Sequence, residues 1–450
     1  MPDVLIVGGG FSGLAAARTL HQHNRSWMLL EARERLGGRT QTHTFADGTY
    51  ADVGGQWIGP TQDRMYALAK EHQISWYDTY NEGKNILDLK GRLREYTGLI
   101  PKMDVLSLLN IDWLLKKLER MATQINVAQP WATTNAAAWD RISLEAFVRK
   151  HSWTSACYKV VRAGLETVYA CELNEVSLLH ALFYIRSGTN LNCLLSIENG
   201  AQQHRITGGM QPLAEKMASD WMDRIRFKHA VTSITQTADG VEVKGDGFSM
   251  KARKLIISIP PVLIRDIDFT PALPLMKQQI LEKISMGIVG KVIAVYPQPF
   301  WRQRGYSGQV VADEQSPFQT LFDSSPDQGA YGVLLAFCIA NRARSFFSMD
   351  ESARKQLALE TFTRYFGPEA ATPQQYLDHC WAEEAWSGGC YAGVYPTGAW
   401  TNFRNELAQP TGAIHWAGTE TADVWYGYIE GAVRAGERAA AEVLQSMGHV

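Results

Sequence analysis

Hydrophobic positions open the chain as a short run, Val4-Leu-Ile-Val7, apolar on both faces. That is the pattern of a buried parallel strand. Leu14–Gln22 follows with Ala and Leu at helical spacing, and Ser26–Leu30 gives a second strand, so the N-terminal segment predicts β-α-β. Val105–Met121 and Leu144–Leu182 read as mostly helical. From Ile225 to Ser258 the pattern shifts to short β-rich runs broken at Asp239-Gly and Asp246-Gly, and Pro260-Pro261 closes that region. Lys291–Tyr296 and Gly332–Ile339 predict further strands, and Ser352–Tyr365 a helix. Thr419–Val443 predicts a turn and then an Ala-rich helix. No repeat, low-complexity segment or linker interrupts this order.

Composition narrows the class without naming a function. At about 100–200 residues per domain, a chain of 450 residues implies two or three domains. Apolar residues at 46% and charged residues at 20% are ordinary globular usage. A net charge of -2 predicts no strong attraction to nucleic acid or to an anionic membrane. The six cysteines show no CxxC pair and no metal spacing, so they read as reduced thiols of a cytoplasmic protein, with no metal site expected. No apolar run nears the ~18–20 residues that span a bilayer, and none follows Leu444, so no membrane anchor is expected.

Chemistry enters at Gly8-Gly-Gly-Phe-Ser-Gly13, which fits G-x-G-x-x-G. The pattern alone is weak. Here it follows a strand, opens a helix and precedes Glu31 at the end of the next strand, the context that dinucleotide binding requires. Glycines let the backbone approach a pyrophosphate, the helix N-terminus offers N–H groups, and Glu31 would accept hydrogen bonds from a ribose. Arg33 and the Gly37-Gly38-Arg39 turn suit a second approach to the diphosphate. Asp52–Gly59, with Gly55, Gln56 and Trp57, could run beside a flat ring. Gly418-Thr419-Glu420 precedes the last helix, whose N-terminus would stabilise negative charge on a reduced ring. One elongated ligand touched at all of these segments is more like FAD than NAD. The contacts expected are Gly8, Gly10, Ser12, Gly13, Glu31, Arg33, Gly38, Arg39, Gly55, Gln56, Trp57, Gly418, Thr419 and Glu420.

These residues carry a resemblance to the flavin amine oxidases, above all the monoamine oxidases. It rests on Leu30–Thr40, Gly59–Gln62, Asn199–Gln202, Ile259–Pro261, Pro299–Arg302, Ser387–Tyr391 and Ala417–Gly431, in that order. The resemblance implies a Rossmann-like α/β FAD-binding domain assembled from residues 1–78, 207–280 and 384–450. Residues 79–206 and 281–383 would form a substrate-binding domain of mixed sheet and helices. It adds Val231 and Trp381 to the cofactor contacts.

Taken alone, Cys390 would read as a small buried hydrophobe. The resemblance implies instead a bond from its sulfur to the flavin. It places Tyr391 and Tyr428 as an aromatic cage over the ring. Physically, such rings confine an amine, exclude water and tolerate a cation on entry. Lys291 lies in an otherwise apolar strand, where a charge needs a partner or a reason. The resemblance assigns it to a water bridge to flavin N5 and to reoxidation by O2. Leu195, Gln202 and Phe337 match cavity-lining positions. Trp57 and Trp386 replace tyrosines of close relatives, so an altered cavity is expected.

The implied reaction takes a small-molecule amine to an imine by hydride transfer to flavin N5, with O2 reduced to H2O2. Two alternatives stay open: an amino-acid oxidase or tailoring oxidase of an amine intermediate, and a flavin-binding regulatory protein without turnover. A homodimer is also left open.

Overall fold

The computed structural model describes residues 1–448. A five-stranded parallel sheet is ordered Ile225–Arg226, Trp27–Leu30, Val4–Val7, Lys254–Ile257, Ile414–Trp416. The apolar Val4–Val7 run is its middle strand, buried from both sides as its composition demands. Three distant stretches of chain therefore build one sheet. Helices Phe11–Gln22 and Ile429–Ser446 cross so closely that a Cβ on Gly436 would sit 2.1 Å from the Ser12 carbonyl oxygen.

A second, seven-stranded sheet runs Gln375–Cys380, Val289–Tyr296, Gly332–Ile339, Thr320–Asp323, Tyr306–Ala312, Lys84–Leu89, Arg92–Tyr96. Its pairings are antiparallel except that of Tyr306–Ala312 with Lys84–Leu89. The strands Val289–Tyr296 and Gly332–Ile339 are buried throughout. The β-rich region expected from Ile225 to Ser258 contributes three strands of a smaller sheet, Val231–Thr237, Gly240–Gly245 and Phe248–Ala252, turning at Asp239-Gly and Asp246-Gly.

Two expectations gain detail. The mostly helical Leu144–Leu182 is divided into Leu144–His151, Ser155–Tyr169 and the start of Leu178–Ser187. The cause is local. Ser143, Thr154 and Ser177 each accept a backbone N–H three residues on, as N-caps, and Ala170 ends the middle helix in the left-handed region. The turn and the helix expected over Thr419–Val443 are both present, separated by an irregular segment. Thr419–Thr421 forms a single 3-10 turn, and Ile429–Ser446 begins only after positive φ at Trp425 and Gly427 redirects the chain. Among the described residues, no helix is long and apolar enough to cross a membrane.

Candidate active site

A cavity of about 610 Å³ runs from the first βα turn into the seven-stranded sheet and the helical layer. The glycines of the turn explain how backbone comes close to its contents. A Cβ on Gly13 would lie 1.9 Å from the Gly8 carbonyl oxygen, so strand and helix can meet here only without a side chain. A Cβ on Gly10 would meet nothing closer than 3.8 Å, and Gly10 lines the cavity, so a side chain there would grow into space meant for a ligand. The helix that starts at Phe11 has no side-chain cap, which leaves its first N–H groups for an anion. The buried Glu31 carboxylate accepts from Gly9 N at 2.6 Å and Arg33 N at 2.8 Å. It retains further lone pairs toward the cavity it lines. These features fit the nucleotide half of FAD.

The other half of the cavity is built by register. In the seven-stranded sheet Lys291 lies directly opposite Phe337, and Phe337 opposite Thr320, so all three belong to one face of the sheet. Lys291 Nζ donates to Asp52 O at 3.1 Å, Gly54 O at 2.6 Å and Gln56 Oε1 at 2.8 Å. Burial pushes its pKa down to about 7, and nearby Asp52 opposes that shift. Phe337, Phe322 and Trp57 pack mutually at 5.4–5.9 Å between centroids, and Tyr391 meets Phe337 edge-on at 6.3 Å. Tyr428 caps the start of Ile429–Ser446 and packs on Trp425 at 4.8 Å and Tyr184 at 6.0 Å. Burial raises the pKa of Tyr391 and Tyr428 well above the usual phenol value, so both rings stay neutral. Cys390 is buried and its thiol is pushed up to about 11. Its N–H donates to Gly287 O at 2.9 Å.

Of the site residues expected from sequence, Gly13 and Glu420 stand outside the lining, and every other lines this cavity. Gly13 serves the strand–helix contact. Glu420 holds Arg39, with Nη1–Oε1 at 2.5 Å and Nη2–Oε2 at 3.1 Å. The helix N-terminus facing the cavity is that of Tyr428 and Ile429, not the Thr419 turn. Ser12 Oγ accepts from Gly418 N at 2.9 Å, which ties the two ends of the chain together beside the cavity.

Sequence reading missed Phe322, Tyr184 and a helical wall of Ile111, Leu115, Val161 and Leu165. The signal for the wall was present: Val161, Leu165 and Val168 recur at helical spacing on Ser155–Tyr169. Phe322 lies two residues beyond Thr320 on a short strand, a spacing that marks a shared face only once the strand is known.

A family model of flavin-containing amine oxidoreductases matches residues 11–444. The chain belongs to that family. AofH of Mycobacterium tuberculosis, named as a flavin-containing monoamine oxidase, is 41% identical over 441 residues, covering 98% of this chain and 96% of its own. Human flavin-containing amine oxidase B is 34% identical over 452 residues, covering 100% and 87%. Among solved structures, putrescine oxidase bound to putrescine superposes with a TM-score of 0.95 at 30% identity, covering 99% of each chain. Cyclohexylamine oxidase from Brevibacterium oxydans IH-35A gives 0.95 at 29%, covering 100% of each. The fold is that of the flavin amine oxidases, and the activity is flavin-dependent oxidation of an amine.

Proposed function

We propose that this flavin amine oxidase acts on monoamines with an apolar body, using FAD along the cavity from Glu31 to Cys390 and O2 as electron acceptor. When bound, FAD accepts the hydride equivalent from the amine α-carbon and passes the electrons to O2, yielding imine and H2O2. The observation that carries this reading is one cavity that joins the nucleotide turn at Gly8–Ser12 to Lys291, Tyr391 and Tyr428. The protein's own part is positional. Gly10 and the N-terminus of Phe11–Gln22 receive the diphosphate, and Glu31 the ribose. The sulfur of Cys390 is within the lining and is the candidate for a covalent link to the ring. Tyr391 and Tyr428 confine the amine and exclude water, which favours its neutral form. Lys291, whose three N–H groups are taken by Asp52 O, Gly54 O and Gln56 Oε1, offers the ring its charge.

Charge in the lining decides between amine classes. The helices Val105–Ala122, Ser155–Tyr169 and Leu191–Leu195 contribute no charged side chain to it. Its arginines, Arg33 and Arg39, are already held by Glu384 and Glu420. An amino-acid carboxylate would find no unpaired guanidinium, which argues against the amino-acid oxidase alternative. The complete set of cage and lysine argues against a flavin-binding regulator without turnover. The six cysteines, all free and buried, support a reducing, cytoplasmic setting. The split into a cofactor domain (1–78, 207–280, 384–450) and a substrate domain (79–206, 281–383) accords with the composition of the two large sheets. An anaerobic titration with single amines tests the function: an apolar monoamine should bleach the oxidised flavin spectrum, and no bleaching by any amine would end the reading.

A further inference from the structure

Lys291 is held by three carbonyl oxygens, and two of them, Asp52 O and Gly54 O, belong to the backbone. The third is the side-chain oxygen of Gln56, which is itself buried and lines the cavity. Three acceptors and no donor face the amine, an arrangement that matches the three N–H groups of an ammonium better than the two of a neutral amine. Gln56 is fixed in turn. Its Nε2 donates to Ser324 Oγ at 3.2 Å, which sets the amide so that its oxygen faces Lys291. Ser324 lies on a braced turn. The fully buried Arg205 donates through Nη1 to Ser324 O at 2.5 Å and Ser325 O at 3.1 Å. Asp323 accepts from Ser325 N at 2.9 Å, from Trp301 Nε1 at 2.8 Å and from both Arg302 Nε and Nη2. The Pro299-Phe-Trp-Arg302 motif thus has a structural purpose: it anchors the turn that orients Gln56.

We propose that Gln56 is a positioning residue that holds Lys291 as a cation beside the flavin and thereby sets the pH range in which the reduced flavin gives its electrons to O2. The step rests on the proposed use of O2. Reduced flavin anion releases two electrons and one proton, solvent supplies a second proton, and O2 becomes H2O2. Negative charge gathers on O2 as it takes electrons, and a fixed neighbouring cation stabilises it. The other groups facing Lys291 leave the control to Gln56. Asp52 and Arg205 pair with each other at 3.7 Å, and the Cys390 thiol is neutral below about 11. His379, opposite Lys291 on the neighbouring strand, has its pKa lowered by burial. Among these groups, the Gln56 carboxamide is the acceptor that a substitution can remove without altering backbone or charge.

The test reduces the flavin of the purified enzyme with stoichiometric dithionite, without any amine, and mixes it with oxygenated buffer across the neutral pH range. In wild type the reoxidation rate should fall as pH rises through about 7, where Lys291 loses its proton. Lys291→Met should remove that inflection. Gln56→Leu should move it down by about one unit, a loss of up to roughly tenfold in rate above the inflection, because a hydrogen bond to the charged form is lost. Gln56→Glu should move it up. A readout that needs no flavin is the stability of the flavin-free full chain relative to Lys291→Met. Lys291 is depressed in the fold, so its contribution is full above the unfolded value of about 10.4 and is lost as pH falls toward the folded value. In Gln56→Leu that decline should continue about one unit lower. An inflection unmoved in both Gln56 variants, or one that survives in Lys291→Met, overturns the proposal. Because dithionite replaces the amine, failure of the amine reading would be seen separately.

Discussion

Arg39 and Glu420 stand 381 residues apart and meet in a two-pronged ion pair beside the cavity, with the Glu420 side chain almost wholly buried. Arg39 Nη1 also donates to the Tyr391 carbonyl oxygen at 2.8 Å. One guanidinium thus joins the Gly37-Gly38-Arg39 turn, the last segment of the parallel-sheet half and the backbone of a cage tyrosine.

Breaking this pair from the acid side leaves a cation without its partner in a largely dry place. Glu420→Ala should destabilise the protein by about 3–5 kcal/mol, the usual cost of orphaning a buried charge. Arg39→Lys should also lose stability, because an ammonium cannot reproduce the two-pronged geometry or reach Tyr391 O at the same time. Denaturant unfolding of both variants measures this. An effect below about 1 kcal/mol for Glu420→Ala would mean that the pair is solvated in practice.

The Cys390 sulfur is a buried, neutral thiol within the lining of the cavity. If it bonds to the flavin, acid-precipitated protein should stay yellow, and its mass should exceed the 50.2 kDa chain by that of FAD. Cys390→Ala should release the colour into the supernatant. Free flavin released from the wild type on precipitation would rule out the bond.

How much of this site was legible in the sequence follows from how each part is specified. The Gly8–Gly13 turn and Glu31 are local signals within one β-α-β unit, so their placement could be read directly. Tyr391, Tyr428, Lys291 and Cys390 were found through motifs in a fixed order, and the cavity gathers them. Gln56 was read as a cofactor contact, and its bond to Lys291 could not be read. That bond depends on how the strand Val289–Tyr296 packs against the Gly54–Trp57 turn, which no local pattern encodes. Glu420 shows the same limit: two residues after Gly418 it was read as a cofactor contact, and its bond to Arg39, near the other end of the chain, could not be read. The gap between the Thr419 turn and the last helix has a local cause in positive φ at Trp425, a residue type that rarely adopts it.

The uncharged helical wall predicts a preference among amines. A diamine that places its first nitrogen at the ring must bury its second among Ile111, Leu115, Val161 and Leu165 or give up its charge. Either outcome costs several kcal/mol. The kcat/KM for an alkyl monoamine should exceed that for the diamine of equal chain length by about a hundredfold or more, roughly 2.7 kcal/mol. Equal values would mean that the second nitrogen finds an anionic partner outside this helical wall.

On the proposed function, the Tyr391–Tyr428 cage sets the protonation state of the substrate. Hydride leaves a carbon only when the lone pair of its nitrogen is free, because an ammonium cannot become an iminium without first losing its proton. The reactive form is therefore the neutral amine, and a dry cavity favours it. Anaerobic flavin reduction should rise with pH through an ionisation that tracks the pKa of each amine. The rise cannot come from the cage, since burial holds Tyr391 and Tyr428 above the usual phenol range and both stay protonated throughout. Nor can it come from Lys291. Its titration, lowered by burial to about 7, would be the same for every amine. Tyr428→Phe keeps the ring against Trp425 and Tyr184 and should cost little. Tyr428→Ala removes that wall, admits water and should slow reduction by more than about tenfold, or ~1.4 kcal/mol. Stopped-flow reduction with two amines of different pKa separates these effects. If the Ala variant reduces its flavin as fast as the wild type, Tyr428 is packing and the cage has no part in the reaction.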